Sequence, residues 1–179
     1  MKNITYITGN QHKADYLANL LGLPISYQKV DLDEIQSLDL SKILKHKVRQ
    51  AYDIIKKPVV VEDTSLEFKA LGGLPGPFIK HFIEHMSEED ICSLLDGKDR
   101  SATARCMFGY FDGENEVYFE GGMEGTIPEK PRGDRGYGFD RFFIPEGFSV
   151  TRAEQNDEDH KAVYLKIKPI MQLKEFLEK

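Results

Sequence analysis

Cysteine is scarce in this chain: Cys92 and Cys106 are the only two among 179 residues. Two thiols so far apart exclude a disulfide framework and a zinc ribbon, and they read as small buried hydrophobes in a reducing compartment. Long apolar runs are missing as well. No stretch approaches the roughly 18 residues of a membrane span, and Met1-Lys2-Asn3-Ile4 leads straight towards a strand with no signal-type run. The expected location is the cytoplasm, with no membrane partner. Positive charge is in deficit, 24 Lys and Arg against 30 Asp and Glu, a net charge of −6. A nucleic-acid polymer needs a basic footprint, so none is expected as a partner; a local basic spot for one small anion remains compatible. Repeats, low-complexity tracts and linkers are absent too, so residues 1–179 are expected to form one domain.

What is present is an ordinary globular composition, 40% apolar and 30% charged, in a chain long enough to bury a core. Residues 4–8 (ITYIT) suit a buried strand through their β-branched and aromatic content. From Lys13, the residues Ala14, Leu17, Ala18 and Leu21 recur at helical spacing until Gly22 stops them. Residues 25–30 alternate like a strand, and Ser41 to about Lys56 reads as a helix ended by Pro58. "PVVVEDTS" predicts a buried strand that delivers acids at its tip, and "ALGGLPGPF" a loop. Ser87 with Glu88-Glu89-Asp90 caps a short helix. Residues 101–111 and 115–127 form a hairpin about Asp112-Gly113, and a helix follows Pro169. Early strand–helix alternation with a later hairpin predicts a mixed α/β sheet flanked by helices, not a purely parallel one.

Five places carry side chains suited to chemistry. In Thr8-Gly9-Asn10-Gln11-His12-Lys13, Gly9 lets backbone N–H groups approach an anion at a helix start. Lys13 sits in the first turn, where a cation opposes the macrodipole unless an anion lies between. A plain strand-to-helix turn with a solvated lysine fits the same spacing. Glu62-Asp63-Thr64 ends the Val59-Val60-Val61 run. Buried adjacent carboxylates need a cation, and Mg²⁺ or a salt-bridge partner meets that need. Glu34, in "DLDEIQ", is a third acid with no weight alone. "GGLPGPFIKHF" presents Lys80 as a phosphate contact or as an exposed lysine on a rigid turn. In Gly136-Tyr137-Gly138-Phe139-Asp140, Tyr137 offers a flat face for a nucleobase, or simple loop packing. Together these supply a phosphate cradle, metal acids, lysines and a base platform, the parts that nucleotide hydrolysis requires.

In series, "TGNQHK", "VEDTSLEF", "LGGLPGPFIK" and "GYGFDRFFIPEG" resemble the motifs of the Ham1-like, or inosine triphosphate pyrophosphatase, family, in the family's order over nearly the whole chain. The resemblance implies an elongated mixed α/β fold with two lobes and an active-site cleft between them, commonly a homodimer. It implies hydrolysis of non-standard purine nucleoside triphosphates (ITP, dITP, XTP) to the monophosphate and pyrophosphate with Mg²⁺. By the same resemblance Thr8 to Lys13, Lys45 and Lys80 hold the triphosphate, while Glu34 and Asp63 bind magnesium with Glu62 near it. Asp63 then orients or deprotonates water, with Lys13 beside it in catalysis. Thr64 fixes the substrate, and Tyr137, Gly138, Phe139 and Asp140 stack on and read the base.

One segment departs from the pattern. The family has a lysine and then Ser-His-Arg near its C-terminus, both helping to select the base; here the chain reads "AEQNDEDHKAVYLKIKP". Aligned without gaps, the lysine falls on His160, and Ser-His-Arg falls on Tyr164-Leu165-Lys166. Lys166 keeps the charge without the planar fork of arginine, and Leu165 removes a polar group, which weakens discrimination between bases. Two alternatives follow: the same chemistry with another base preference, or a nucleotide-binding module without turnover.

Overall fold

A computed structural model describes residues 3–179. The chain divides into two compact units. The first holds residues 1–63, 106–120 and 168–179; the second holds 64–105 and 121–167.

In the first unit, β1 (Thr5–Ile7) pairs in parallel with β2 (Ser26–Gln28) and with the start of β3 (Val59–Phe68), Thr5 lying opposite Ser26 and Val59. The helix α1 (Gln11–Leu21) follows β1 directly. It starts at Asn10, whose side chain accepts from the Lys13 N–H, and stops at Gly22 in the left-handed conformation, φ 68°. Its buried stripe is Ala14, Leu17 and Leu21, so the expected periodicity is the one that packs. The helix α2 (Leu40–Ile55) is capped by Asp39, which accepts from the N–H groups of Ser41 and Lys42. Its buried Leu40, Leu44, Val48 and Ala51 meet Val59, Val61 and Met107, forming the core under this part of the sheet. The C-terminal α6 (Ile170–Glu178) buries Ile170, Leu173 and Leu177.

In the second unit, β3 continues through Leu66 and Phe68 and pairs antiparallel with β4 (Pro75–Gly76). Two short helices follow, α3 (Ile79–His85) and α4 (Glu88–Ser93). The pattern of residues did not foreshadow α3, which has no side-chain cap and buries only Ile79. The hairpin strands β5 (Ser101–Phe111) and β6 (Glu116–Thr126) fall where expected, residues 101–105 and 121–126 belonging to this unit and the turn side, residues 106–120, to the first; β7 (Ile144–Pro145) lies antiparallel to β6 and α5 (Asp157–Ile167) comes after it. Hydrogen bonding runs β2-β1-β3-β5-β6-β7, with β4 beside β3; the sheet is mixed, as the sequence predicts, and it is open with seven strands. Gly113 at the hairpin turn has φ +101°, and any Cβ there would strike the Tyr52 hydroxyl, so only glycine serves. Among the described residues, no helix is long and apolar enough to cross a membrane.

Candidate active site

The 8–13 segment folds as a strand-to-helix loop. The Asn10 N–H donates to Thr8 Oγ1 at 3.1 Å and the Lys13 N–H donates to Asn10 Oδ1 at 3.2 Å, which turns the chain into α1. Gly9, Asn10, Gln11 and His12 are exposed. The stem of Lys29 lies against Gly9, where a Cβ would sit 3.2 Å from it, so a cation beyond those named from sequence borders the loop.

Lys13 reaches across to Glu62, which with Asp63 lies at the middle of β3 and not at the strand tip expected from sequence, because the strand runs on through residues 64–68. Lys13 Nζ lies 3.2 Å from Glu62 Oε1, while Lys168 Nζ lies 2.7 Å from Glu62 Oε2. Glu62 and Lys168 each keep about 10% side-chain exposure. Burial alone would push the Glu62 carboxyl up; the two ammonium groups outweigh it and hold the group down at about 2. Glu62 is thus an anion clasped between two cations.

Its neighbour on β3 faces a different lysine. Lys47 Nζ sits 2.7 Å from Asp63 Oδ2 and 3.1 Å from Glu34 Oε1, and its side chain is 12% exposed. Burial favours the neutral amine, but the charges and hydrogen bonds of Asp63 and Glu34 prevail and raise Lys47 above the ordinary lysine value. Asp63 and Glu34 therefore converge on one point although 29 positions separate them in the chain. Thr64 follows, half-buried on β3. Six charges of this unit interleave, with Lys13, Lys47 and Lys168 against Glu34, Glu62 and Asp63, and they balance.

These acids bear on whether magnesium suits the site. Glu34, Glu62 and Asp63 do not bring one oxygen each within 4.8 Å of one another. Mg²⁺ asks for only one or two carboxylates besides substrate phosphates and waters. Asp63 and Glu34, two oxygen donors reaching one point, fit that demand; Glu62 is committed to its two lysines.

In the second unit the Gly136–Asp140 loop is drawn tight by Asp140, which is 2% exposed. Asp140 Oδ2 accepts from the Tyr137 N–H at 3.1 Å, Arg152 Nη1 lies 2.8 Å from Oδ1, and His160 Nε2 lies 3.5 Å from Oδ2. A Cβ on Gly136, at φ +84°, would collide with the Asp140 carboxylate, so glycine is required there. Tyr137 stands 58% exposed while Phe139, 8% exposed, packs edge-on against Phe143. The structure thus divides the segment: Tyr137 is presented, Phe139 is core, and Asp140 is the anchor that ties the loop to Arg152.

The remaining candidates are divided between the two units. Lys45 is exposed on α2, where its charge acts on Glu116. Lys80 is exposed on α3, and Lys166 lies by Thr103, Arg105 and Glu124 in the second unit. Sequence reasoning missed Lys47, Lys168 and Arg152. Lys47 stands two positions after the chosen Lys45. Lys168 precedes Pro169 in a segment of altered pattern. Arg152 carries no motif.

Fold and site together define a mixed α/β protein whose central strand β3 pairs two adjacent acids with largely buried lysines. The model of the Ham1 family matches residues 4–176. The chain belongs to that family. Inosine triphosphate pyrophosphatase 2 of Trypanosoma cruzi is 44% identical over 176 residues, 96% of this chain and 90% of that one. Inosine triphosphate pyrophosphatase of Yarrowia lipolytica is 38% identical over 181 residues, 98% and 95% of the two chains. The solved structure of a HAM1 protein from Coxiella burnetii shares the fold at a TM-score of 0.85 and 23% identity, covering 99% of both chains.

Proposed function

We propose that this enzyme, a hydrolase of phosphoanhydride bonds, cleaves non-standard purine nucleoside triphosphates to the monophosphate and pyrophosphate with Mg²⁺. The observation that carries the proposal is the pair of lysine–carboxylate groupings at the middle of β3, Lys13–Glu62–Lys168 and Glu34–Lys47–Asp63. The names of the relatives, inosine triphosphate pyrophosphatase, support it.

In this reading the balanced charges exchange partners when substrate arrives. The ammonium groups of Lys13, Lys47 and Lys168 turn to phosphate oxygens, joined by the backbone N–H groups of residues 8–13 at the start of α1. Asp63 and Glu34 hold the magnesium ion, which when bound neutralises phosphate charge and polarises the reacting phosphoryl group. Asp63 orients a water towards the α-phosphorus and takes its proton. The bond from the α-phosphorus to the bridging oxygen breaks, and pyrophosphate leaves with that oxygen. Positioning and electrostatics supply most of the acceleration. Tyr137 offers its exposed ring to the purine. The family resemblance extends the reading to a homodimer.

The test is the product. Purified enzyme with ITP and Mg²⁺ releases pyrophosphate, and Asp63→Asn abolishes the release; orthophosphate as product, or no turnover by the wild-type chain, refutes the proposal. One observation favours a second reading in which the base differs. Asp140, within the segment that resembles the base-reading motif, is consumed by Arg152 and His160, and Leu165 stands where the family has histidine. A panel of ITP, XTP, dUTP and the four common triphosphates separates the two readings by rank of kcat/KM.

A further inference from the structure

The helix α3 presents a group of side chains that nucleotide hydrolysis does not use. His81, Glu84 and His85 stand at i, i+3 and i+4, a spacing that puts all three on one face. Each offers a ligand atom, and these atoms lie within 4.8 Å of one another. His81 Nδ1 is 4.0 Å from Glu84 Oε2, and the two side chains are 56% and 49% exposed. Among the described residues this is the group of three or more His, Cys, Asp or Glu side chains so gathered.

We propose that α3 binds a transition-metal dication of the zinc type at His81, Glu84 and His85. Two imidazoles and one carboxylate form a borderline donor set, suited to Zn²⁺, Ni²⁺ or Cu²⁺ and poorly suited to Mg²⁺, which asks for oxygen. Two histidines four apart on a helix recur in zinc sites because one turn brings both rings to the same side. Zinc–nitrogen bonds of about 2.0–2.1 Å in a tetrahedron put donor atoms roughly 3.4 Å apart. Exposed side chains close the remaining ångström or so by rotation, with no backbone movement. Three protein ligands leave a fourth position to water. The ion also ties His81 to His85 across a helix of seven residues, a length at which an isolated helix is marginal in water. Metal binding therefore stabilises α3.

Titration calorimetry with ZnCl₂, run in excess Mg²⁺ to occupy the oxygen sites, tests the assignment on the full chain. The wild-type protein is expected to take up one zinc per chain. His81→Asn/His85→Asn is expected to weaken that binding at least about tenfold, the least that even an outer-shell change costs a metal site. Glu84→Gln is expected to weaken it by less than the double variant does. The substituted side chains are exposed, so far-ultraviolet circular dichroism is expected to report an unchanged fold; zinc is also expected to raise the melting temperature of the wild type more than that of the double variant. Equal zinc affinity in the wild type and the double variant, or no zinc uptake by the wild type, overturns the proposal.

Discussion

Replacing Glu62 with glutamine removes one negative charge and keeps the shape of the side chain. In the folded protein the carboxyl sits near 2 in place of its usual 4.5, because Lys168 and Lys13 outweigh the cost of burial. At about 1.4 kcal/mol per unit, the ionised form contributes roughly 3 kcal/mol to stability at neutral pH. For 179 residues, an unfolding entropy of about 2.1 cal/mol/K per residue turns that into a melting temperature lower by about 8 °C in the variant. The folded carboxyl is the stronger acid, so the unfolded chain takes up the proton first as pH drops. The contribution is therefore complete well above pH 4.5 and is lost as pH falls towards 2. Urea unfolding of wild type and Glu62→Gln at several pH values reads this directly. The gap between them is expected to be about 3 kcal/mol at pH 7 and about half that near pH 3. A gap below about 1 kcal/mol at neutral pH, or one that does not narrow with acid, refutes the claim that two lysines hold Glu62 ionised.

Lys47→Met is expected to cut pyrophosphate release from ITP by roughly 10²–10³, the usual cost of losing one preorganised electrostatic group, whereas Lys45→Met, altering an exposed lysine, is expected to stay near wild type; the opposite order of losses counts against the site described. Arg152→Met strips Asp140 of a partner 2.8 Å away and is expected to destabilise the fold by about 3–5 kcal/mol, seen in urea melts, and to raise the KM for nucleotide as the Tyr137 loop loosens. Arg152→Met with Asp140→Asn is expected to recover part of the stability, because no buried charge is then left alone.

Much of this protein was legible from its residues. Periodicity located α1 and α2 to within two residues, since Asn10, Asp39 and Gly22 act through short-range hydrogen bonds that sequence displays. The mixed sheet followed from alternation and the Asp112-Gly113 turn. The short α3 escaped notice because it has no side-chain cap and buries a single residue. At the site, adjacent acids on a buried strand advertised themselves through their need for a cation, although β3 runs five residues beyond them and they are not at its tip. Which cation answered was not legible. Lys168 meets Glu62 across 106 positions, and Arg152 and Asp140 are 12 apart with no shared motif. Long-range pairing of this kind depends on the packing of whole elements, which local pattern does not encode. Asp140 is the clearest case: by motif it faces the substrate, and by burial it faces inward to Arg152.

The first unit is assembled from three separate stretches, the last beginning at Lys168. On a ribosome, that stretch emerges after every residue of the second unit has been made. The interval between the appearance of Lys13 and that of Lys168 is on the order of ten seconds at ordinary elongation rates. The second unit, residues 64–105 and 121–167, is complete in sequence before that stretch is made, while Lys13 and Glu62 still lack Lys168 and the sheet lacks α6. A chain cut after Ile167 keeps every residue of the second unit and loses Lys168 and α6 from the first. Such a product keeps Tyr137 and loses one of the two lysines that hold Glu62.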